Sequence, residues 1–577
     1  MKKIIRQLLL DEEYEKANQY LSEHIDENNY DDDIAFFDAV IGLYYGDESR
    51  VWNACANGLA LNGKNYELYT ILGEYYFSFN INQAYLYYEN ALYYCTEEED
   101  RKKIWDRLEL MREKYPVTVR KVSIILLSYN LLEYTRECIE SIRNTTSEAM
   151  REIIVVDNAS EDNSVEWLRK QKDIILIENK VNTGFPRGCN QGIEKANQEN
   201  DIFLLNNDTV ILENSLFWLR MGLYENEKIG ATGSRSNVVS NLQQVLADKR
   251  MSMGDWITFG RMNNSPMEYP YEEKLYLVGF ALLIKREVVN LIGGLDECFT
   301  PGNFEDNDYG LRIIKAGYKN ILCRNSFIFH YGSKSFGKNI VEFQNTLDIN
   351  GEKFRKKWNI DPYSYSNPRA ELLELIEKKD DEEFKFLEIG CGCGATLKFI
   401  RGLYPNVKVF GVENNKEEME IAALTDTVIC TGIEEVFLPW EENFFDYILM
   451  GDLLQKTNHP EELMFMLRRY LKPNGKLLIS IPNVKHFSVM MPLLFKDELT
   501  YGDGGILDKE SRRLYTGTEI KVLLENTGFI IREIHYTRKG EAGEIIEKVI
   551  DQLMAMTGSS NRSPYEVYKY LIKAEPM

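Results

Sequence analysis

The chain has 577 residues, too many for one ordinary hydrophobic core, so we expect two to four domains. Hydrophobic residues make up 44% of the chain and charged residues 28%, which is typical of globular proteins. The formal net charge is −23, which argues against binding to nucleic acid and against docking on anionic lipid.

The nine cysteines are scattered, with one C-x-C pair at Cys391 and Cys393. None of the five histidines pairs with a cysteine at the spacing of a zinc site, so we interpret the cysteines as buried residues of a reducing compartment. The first residues, MKKIIRQLLLDEEYEKA, have an amphipathic helical pattern that Arg6 interrupts, unlike a signal peptide. No apolar run approaches roughly 18 residues, so the sequence predicts no transmembrane helix and a cytoplasmic protein.

Residues 1–115 show helical periodicity and almost no strand signal. Within them the stretch IGLYY at 41–45 is repeated in similar form as LGEYY at 72–76, 31 positions later. Ala60 is likewise followed by Ala91 at a distance of 31 positions. Small residues let paired helices approach each other, and aromatic residues fill the gap between them. The small and large positions of the second unit are Leu72, Gly73, Tyr76, Ala84, Tyr88 and Ala91.

This pattern resembles a tetratricopeptide repeat over about two repeat units. The alternative is a plain helical bundle. If the repeats are real, their tyrosine-rich concave face binds a peptide or a partner protein, or it packs against the next domain.

Residues 117–360 alternate short apolar runs with helical stretches, which predicts an α/β fold with a parallel sheet covered by helices on both faces. A second sheet of this kind is expected to begin near residue 384. The charged stretch EKKDDEEF at 377–384 is a candidate domain boundary. The predicted strands of the middle region are VSIILLS (122–128), EIIVVD (152–157), DIILIE (173–178) and DIFLLN (201–206).

Polar residues follow these strands, and carboxyl ends of parallel strands are where α/β sheets bind ligands. A carboxylate such as Asp157 suits the hydrogen-bond donors of a base or a ribose, and glycines let the backbone come close to a ligand. The candidate ligand-binding residues at these ends are Asn130, Asp157, Asn158, Asn182, Gly184, Asn190, Asn207 and Asp208.

The motifs SYN, DNASED, NTGFPRGCNQG, LNND, GGLDECF and EDNDYGLR, with a late His330, resemble as a set the family-two glycosyltransferases of the GT-A fold. The resemblance implies transfer of a sugar with inversion from a nucleotide-sugar donor. The NTGFPRGCNQG variety is similar to rhamnosyl- and N-acetylhexosaminyl-type members, so a UDP- or dTDP-linked sugar is the expected donor. The residues named in the preceding paragraph would then bind this donor.

By the same resemblance, Asp208 is the surviving carboxylate of the family's D-x-D element and holds Mn²⁺ or Mg²⁺ against the donor diphosphate. The first acidic position of that element is Asn206 here. One carboxylate can suffice because such cations usually keep waters and substrate phosphates as ligands. His330 is the second expected ligand.

The EDND stretch is expected to carry the acid–base chemistry, because an inverting transfer needs a base for the acceptor hydroxyl. The resemblance makes Asp306 that base, with Glu305 and Asp308 as orienting neighbours or acceptor binders. The alternative is an acidic helix start in which Asp308 and Arg312 form an i, i+4 ion pair.

In the last region, KFLEIGCGCGATLKFI at 385–400 reads as a strand, a glycine loop and a helix start. Gly390, Gly392 and Gly394 alternate, which alone is ambiguous with a dinucleotide-binding loop. Glu388 at the strand end would repel a pyrophosphate but suits an amino group. Glu413 ends the next strand, where an acidic residue suits a ribose diol.

The region resembles class I methyltransferases that bind S-adenosylmethionine, with Glu434 as the acidic residue after the third strand. Two departures put a histidine-based catalytic role in doubt: LLQK stands where relatives often carry L-E-H, and Ser511 stands in place of a histidine. The remaining candidates for substrate contact are Asn483, His486, Asp508 and Arg513.

We therefore expect a helical tetratricopeptide-like domain at 1–115, a GT-A glycosyltransferase domain at 117–360 and a Rossmann-like methyltransferase domain at 370–577. The first hypothesis is a bifunctional enzyme that glycosylates a protein, such as flagellin, or a glycan, and methylates a hydroxyl of the added sugar. Linking the two sites would raise the effective concentration of the shared product. The alternatives are a protein-binding scaffold with one degenerate enzyme domain, and two enzymes that act on a lipid-linked or polysaccharide glycan.

Overall fold

The computed structural model describes residues 1–577 except 26–29, 247–250, 333–339, 380, 433–437, 503, 541–542 and 559, and it leaves out the side chain at 340. The chain divides into two compact units, Met1–Trp358 and Asn359–Met577. Among the described residues, no helix is both long and apolar enough to cross a bilayer.

In the described part of the chain, the first unit begins with seven helices. Asp31, Asp47, Asn65 and Asn80 each precede a helix, and each side chain accepts a hydrogen bond from an N–H of the first turn. These caps fix where four of the helices start. The helices are α1 Lys2–Leu10, α2 Tyr14–His24, α3 Asp32–Tyr45, α4 Glu48–Leu61, α5 Tyr66–Tyr76, α6 Ile81–Tyr94 and α7 Glu98–Lys114.

Helices α3 and α4 pack closely together, as do α5 and α6, because small residues lie where they meet. A Cβ atom on Gly58 would lie 2.6 Å from the Cβ of Ala35, and one on Gly73 would lie 2.8 Å from the ring of Tyr88. The sequence echo thus falls on paired helices with small–aromatic contacts. Whether they are tetratricopeptide repeats stays a prediction.

The tyrosine-rich face of α5 and α6 is covered by a helix of the following segment. Tyr69 and Tyr87 contact the ring of Phe217, each with 5.6 Å between ring centroids, and Tyr87 also meets Trp218 at 6.4 Å. Tyr94 donates a hydrogen bond to Asn214 Oδ1 at 3.0 Å. Of the two expectations for this face, packing against the adjacent segment is the one that the structure shows.

The strands of the first unit form a nine-stranded mixed sheet within the described residues, in the order β3-β2-β1-β4-β8-β6-β9-β5, with β7 paired to β9. Strands β1 to β4 are parallel, whereas β8 runs antiparallel to β4 and β6. The strands are β1 Val122–Ser128, β2 Arg151–Asp157, β3 Ile174–Glu178, β4 Asp201–Asn206, β5 Thr209–Ile211, β6 Ile229–Arg235, β7 Tyr271–Lys274, β8 Ala281–Ile284 and β9 Lys319–His330.

The expectation of a parallel sheet is therefore right for the four predicted strands, and the later strands add a parallel β6–β9 pair and the antiparallel strands β5, β7 and β8. Alternate residues of β1 enter different cores: Ile124 packs with the N-terminal helices, and Ile125 packs on the opposite face. The helices that cover this sheet are α8 Leu132–Thr145, α9 Ser164–Leu168, α10 Phe185–Lys195, α11 Ser215–Leu223, α12 Met253–Asn263, α13 Arg286–Ile292, α14 Glu305–Lys315 and α15 Ile340–Trp358.

The second unit contains a seven-stranded sheet among its described residues, in the order β12-β11-β10-β13-β14-β16-β15. Strands β10 to β14 pair in parallel, and β16 runs antiparallel between β14 and β15. The strands are β10 Phe384–Ile389, β11 Val407–Glu413, β12 Thr427–Cys430, β13 Phe445–Gly451, β14 Leu471–Pro482, β15 Phe529–Thr537 and β16 Lys569–Pro576.

Both faces of this second sheet are covered by helices, which gives it the layered Rossmann-like architecture. The strand order reverses at β10, whose carboxyl end leads into the glycine loop, and ligands of open α/β sheets bind at such a point. The helices are α16 Ala370–Leu373, α17 Ala395–Leu403, α18 Lys416–Ala422, α19 Pro460–Tyr470, α20 Phe487–Lys496, α21 Gly517–Asn526, α22 Glu544–Thr557 and α23 Ser563–Glu566.

Candidate functional sites

In the first unit, the loops after β1 and β2 are joined through one serine. Asp157 ends β2 in a buried position, and its carboxylate accepts hydrogen bonds from the N–H and the hydroxyl of Ser160, at 2.8 and 2.6 Å. The N–H of Asn130 donates to the same hydroxyl oxygen at 2.7 Å, and Asn130 Oδ1 accepts from the N–H of Glu161. These bonds fix the rim of the carboxyl edge of the sheet.

Asn158 holds the loop that enters α10. Its Nδ2 donates to Asn182 Oδ1 and to the carbonyl of Gly184, both at 3.2 Å, and its Oδ1 accepts from Asn179 Nδ2 at 2.9 Å. Asn182 Oδ1 also accepts from the N–H of Gly184. Two of the predicted donor-binding asparagines, Asn158 and Asn182, are thus hydrogen-bonded to the protein, and they fix the loop that enters α10.

Gly184 and Asn190 connect α10 with the segment before α14. Gly184 has a φ of +82°, and a Cβ there would lie 2.8 Å from a side-chain carbon of Thr300. Asn190 donates to the carbonyl of Leu295 and to Glu297, at 2.9 and 3.0 Å, and accepts from the N–H of Leu295. Gly184 therefore lets the start of α10 lie close to Thr300, and Asn190 binds α10 to the segment at Leu295 and Glu297.

The pair of Asp208 and His330 lies where β4, β5 and β9 meet. Thr209 of β5 pairs with His330 of β9, and His330 Nε2 lies 3.1 Å from Asp208 Oδ1 with both residues buried. The other ring nitrogen, Nδ1, lies 2.9 Å from the carbonyl of Val238, which only accepts, so Nδ1 carries a proton. When the ring is neutral, Nε2 then presents a lone pair to the carboxylate of Asp208. Two electron-rich atoms this close attract each other only if a second proton or a metal cation lies between them.

The sequence expectation had named Asp208 and His330 as partners, and the fold brings them together. Asn207 points elsewhere, because its Nδ2 donates to the hydroxyl of Thr135 on α8 at 2.9 Å. Within the described ranges, no group of three or more histidine, cysteine or acidic side chains lies close enough to hold a metal ion without other ligands.

The acidic start of α14 separates into two environments. Asp306 accepts hydrogen bonds from the N–H groups of Gly279 and Asn307, at 3.1 and 2.8 Å, and burial raises the pKa of its carboxyl. Glu305 is buried with no hydrogen-bond partner for Oε2 among the described residues. Burial and the neighbouring Asp306 raise the pKa of Glu305 well above its usual range.

Asp308 is fully buried and is occupied by structural partners. Its carboxylate meets Arg312 Nε at 2.8 Å, Lys357 Nζ at 2.5 Å and the indole N–H of Trp358 at 2.9 Å. Asp308 therefore forms the i, i+4 ion pair with Arg312 that the sequence offered as the alternative. It also binds Lys357 and Trp358 of α15.

In the second unit, the glycine loop after β10 approaches the end of β11. Gly390, Gly392 and Gly394 have φ values of +70°, +54° and +84°, a region that favours glycine. The N–H of Gly392 donates to Glu413 Oε2 at 2.8 Å. Glu413 Oε1 accepts from two backbone N–H groups of the following turn, so its carboxylate is fixed beside the loop.

Glu388 lies beneath this loop and is 3% exposed, and its Oε2 has no hydrogen-bond partner among the described residues. Burial raises the pKa of Glu388 from 4.5 to about 8. A buried carboxylate with one unpaired oxygen matches the ammonium group of S-adenosylmethionine, and the carboxylate of Glu413 matches a ribose diol. The residues present therefore fit this cofactor.

Two residues of this site escaped the sequence expectation. Asp452 directly follows β13, and its carboxylate binds Arg369 Nη1 at 3.0 Å as well as Lys569. A Cβ on Gly451 would lie 2.7 Å from the Arg369 guanidinium, so the glycine makes room for it. The strand end ILMGD signalled Asp452, whereas nothing in the sequence around Arg369 signals its position.

Glu434, the third acidic residue expected to bind the cofactor, lies outside the described residues. Among the four remaining candidates for substrate contact, Asn483 is fully buried and donates to the carbonyls of Pro564 and Val567. Arg513 binds Glu461 at the surface, and Asp508 binds Lys456. Of the four, His486 has a ring nitrogen without a hydrogen-bond partner among the residues that the structure describes.

Two family models match separate stretches of the chain. Residues 123–292 match the model of Glycosyl transferase family 2, and residues 361–534 match a Methyltransferase domain model. The chain therefore carries a glycosyltransferase domain in its first unit and a methyltransferase domain in its second.

Curated relatives match parts of the chain. An uncharacterised protein of Sinorhizobium fredii is 24% identical over 281 residues, which cover 45% of this chain and 30% of the relative. The malonyl-[acyl-carrier protein] O-methyltransferase of Halalkalibacterium halodurans is 28% identical over 120 residues, which cover 19% of this chain and 44% of the relative. The chain thus spans less than half the length of either relative.

Solved structures show similar parts. One is a mannosyltransferase from Pyrobaculum calidifontis, in complex with GDP-Man and Mn²⁺, with a TM-score of 0.31 and 16% identity. The match covers 48% of this chain and 76% of the mannosyltransferase chain. Another is a SAM dependent methyltransferase from Aquifex aeolicus, with a TM-score of 0.25 and 19% identity. This match covers 39% of this chain and 98% of the Aquifex chain.

Proposed function

We propose that this protein is a bifunctional enzyme of glycan synthesis. Its first unit transfers a hexosyl or rhamnosyl group with inversion from a UDP- or dTDP-sugar to a protein, such as flagellin, or to a glycan. Its second unit methylates an oxygen of that glycan with S-adenosylmethionine. The presence of two domains supports two reactions. The side chains at the first candidate site support glycosyl transfer, and those at the second support methyl transfer.

The observation that carries the glycosyl transfer is the buried Asp208–His330 pair. A bound Mn²⁺ or Mg²⁺ would neutralise the charge that develops on the leaving diphosphate. Asp208 Oδ1 and His330 Nε2 would hold this cation, because a carboxylate and a lone pair 3.1 Å apart need a positive charge between them. The donor phosphates and water would supply the other ligands.

Asp306 would serve as the base. The acceptor oxygen bonds to the anomeric carbon, the bond between sugar and phosphate breaks with its electron pair on the diphosphate, and Asp306 takes the hydroxyl proton. A pKa that burial raises improves a carboxylate as a proton acceptor. The two N–H groups that bind Asp306 orient its carboxylate and oppose part of the effect of burial on its pKa.

The glycosyl transfer is tested with purified full-length chain and a panel of UDP- and dTDP-sugars, with Mn²⁺ or Mg²⁺, by detecting the released nucleotide. We expect release from one donor, its loss with EDTA, and a decrease of about a hundredfold in Asp208→Asn. The control is Asp106→Asn, the same substitution at an exposed site on α7, which should retain full activity.

Silence across the donor panel, with nucleotide also failing to change the melting temperature, would overturn the transferase proposal. The scaffold alternative would then lead, since Asn206 replaces one expected metal-binding carboxylate. Release that is insensitive to EDTA would retain the transferase and reject the metal.

The observation that supports methyl transfer is the orphaned Glu388 carboxylate beneath the glycine loop, with Glu413 fixed beside it. S-adenosylmethionine would supply an electrophilic methyl group. Glu388 would pair with its ammonium group and Glu413 with its ribose. The test is calorimetric titration with S-adenosylhomocysteine, for which we expect binding that weakens about tenfold in Glu413→Gln. Glu420→Gln, at an exposed position on α18, is the matched control.

A further inference from the structure

A histidine at the carboxyl edge of the second sheet has a free ring nitrogen that neither proposed reaction uses. His486 is 1% exposed, yet its Nε2 has no hydrogen-bond partner among the described residues. Leaving a buried polar atom unpaired is costly, so an atom of this kind usually has a water molecule, an ion or a bound ligand as its partner. His486 is therefore a candidate contact for a polar group of a substrate.

The local hydrogen bonds determine what this nitrogen offers. His486 caps α20: its Nδ1 accepts from the N–H of Ser488 at 3.2 Å and lies 2.8 Å from the Ser488 hydroxyl. A ring nitrogen that accepts from a backbone N–H carries no proton, so the proton of the neutral ring is on Nε2. Burial lowers the pKa of His486, which favours this neutral form. Nε2–H is thus a hydrogen-bond donor and not a base.

The location of His486 ties it to the candidate cofactor site. It follows β14 by four residues, and the N–H of Asn483 donates to the carbonyl of Tyr568 just before β16. The rings of His486 and Tyr568 lie 5.3 Å apart. β14 pairs in parallel with β13, and β13 with β10, so His486 and the glycine loop lie at the same edge of the sheet.

A complementary group follows the neighbouring strand. Gln455 is 3% exposed, and its Nε2 donates to the carbonyl of Asp452 just after β13, which leaves Oε1 without a partner among the described residues. The segment that follows Asp508 joins the two strand ends. In it, the N–H of Arg512 donates to the Gln455 carbonyl, and the Tyr515 carbonyl accepts from the N–H of Val484.

We infer that His486 and Gln455 bind the methyl acceptor, and that this acceptor is a sugar whose neighbouring hydroxyl groups they hold. The inference rests on the proposed methyl transfer of the second unit. A free donor at one strand end and a free acceptor at the next complement a polyhydroxylated molecule, because each hydroxyl both donates and accepts. His486 orients the acceptor and takes no proton from it.

The inference is tested by steady-state methyl transfer in the full-length chain, with methyl glycosides of hexoses, 6-deoxyhexoses and N-acetylhexosamines as acceptors. The variants are His486→Phe, which removes the donor, and His486→Gln, which retains an amide N–H near the position of Nε2. The matched control is His459→Phe, since His459 precedes α19 as His486 precedes α20 but is exposed and makes no capping bond.

We expect His486→Phe to raise the KM for the methylated glycoside about tenfold, as the loss of one buried hydrogen bond does, with a smaller effect on kcat. His486→Gln should restore most of the loss, and His459→Phe should match the unmodified chain. The affinity for S-adenosylhomocysteine should stay within about twofold in every variant, because the residues proposed to bind this cofactor, Glu388 and Glu413, are unchanged.

Failure of the proposed function and failure of this inference differ in their outcome. No binding of S-adenosylhomocysteine would overturn the methyltransferase proposal itself. Binding of S-adenosylhomocysteine with no methylation of any glycoside would overturn the sugar as acceptor, and an unchanged KM in His486→Phe would overturn the role of His486.

A second measurement needs no variant. In full-length chain labelled with ¹⁵N at histidine, the His486 ring should show a proton on Nε2 and none on Nδ1 at neutral pH. With S-adenosylhomocysteine bound, adding the methyl glycosides should shift the Nε2 proton resonance. A proton on Nδ1, or a resonance that no glycoside shifts, would contradict the inference.

Discussion

Carboxylates of the same type have different tasks in the two sites, and their hydrogen bonds decide which. Asp157 and Glu413 are each held by backbone N–H groups, which fixes their orientation. Glu388 has an oxygen with no partner, and Asp208 faces a histidine nitrogen. In the proposed function these two carboxylates bind a positive charge, an ammonium group at Glu388 and a metal cation at Asp208.

Glu388 gives a prediction about stability and pH. Its pKa is about 8 in the fold against 4.5 ordinarily, so between these pH values the folded state must hold a proton that the unfolded chain has lost. The contribution of this group to stability is complete below pH 4.5 and is lost as the pH rises towards 8, by about 1.4 kcal/mol per pH unit. We expect Glu388→Gln to raise the melting temperature of the second unit at pH 8.5 more than at pH 5.5.

The measurement is thermal unfolding of the full-length chain at both pH values, with calorimetric titration of S-adenosylhomocysteine alongside. The same variant should lose cofactor affinity, because an amide cannot pair with an ammonium group as a carboxylate does. Glu420→Gln should alter neither quantity. A Glu388→Gln chain that is less stable at pH 8.5 would show that the carboxylate has a partner in the fold.

At the scale of elements, α14 begins at the candidate base and is fastened at Asp308. The carboxylate of Asp308 binds Arg312 on its own helix and Lys357 and Trp358 on α15. α15 also donates from Asn350 Nδ2 to the carbonyl of Phe299, in the segment before α14. The position of Asp306 therefore depends on how α15 packs.

We expect Asp308→Asn to destabilise the first unit by about 3 kcal/mol, since it leaves two cations beside a buried amide. The variant retains an acceptor for Trp358, so the effect isolates the charge. Chemical denaturation of the full-length chain measures it. The control is Glu352→Gln, which removes an exposed ion-pair partner of Arg355 within α15. This substitution should lower the free energy of unfolding by less than about 0.5 kcal/mol. Unchanged stability with lost activity would assign Asp308 to the reaction instead.

At the scale of the whole molecule, the N-terminal helices and the first sheet share one hydrophobic core. Tyr87 of α6, Trp218 of α11 and Leu205 of β4 belong to the same buried cluster. Polar bonds add to it: Gln83 Nε2 donates to the carbonyl of Met221 at 3.1 Å, and Arg220 forms a buried ion pair with Glu89. The helical segment therefore supports the element that follows Asp208.

This shared core predicts that residues 1–358 fold as a fragment, whereas residues 117–358 do not. Removing the helices would expose the Phe217 and Trp218 rings and leave the buried charge of Arg220 unpaired, and each of these changes is costly. Near-ultraviolet circular dichroism and denaturant unfolding of both fragments test this. A cooperative unfolding transition in the 117–358 fragment would contradict the prediction and make the helices a separate domain.

Much of the fold was predictable from the sequence because the apolar runs and their ends are local signals. The predicted strands 122–128 and 201–206 coincide with β1 and β4, and Glu388 and Glu413 were placed at the carboxyl ends of strands. The antiparallel strands β5, β7 and β8 were not predicted, because each is only three or four residues long and its pairing partner is distant in sequence.

The sequence by itself determined the α/β architecture, the glycine loop and the polar strand ends, since each depends on residues close together in the chain. Only the tertiary structure decided which polar groups are left unpaired. Asn158, Asn190 and Asp308 each have a partner 21 to 107 positions away, whereas Glu388 and His486 each have an atom with no hydrogen-bond partner in the part of the chain that the structure describes. Hydrogen-bond partners come from distant parts of the chain, so the difference between a supporting residue and a binding residue exists only after folding.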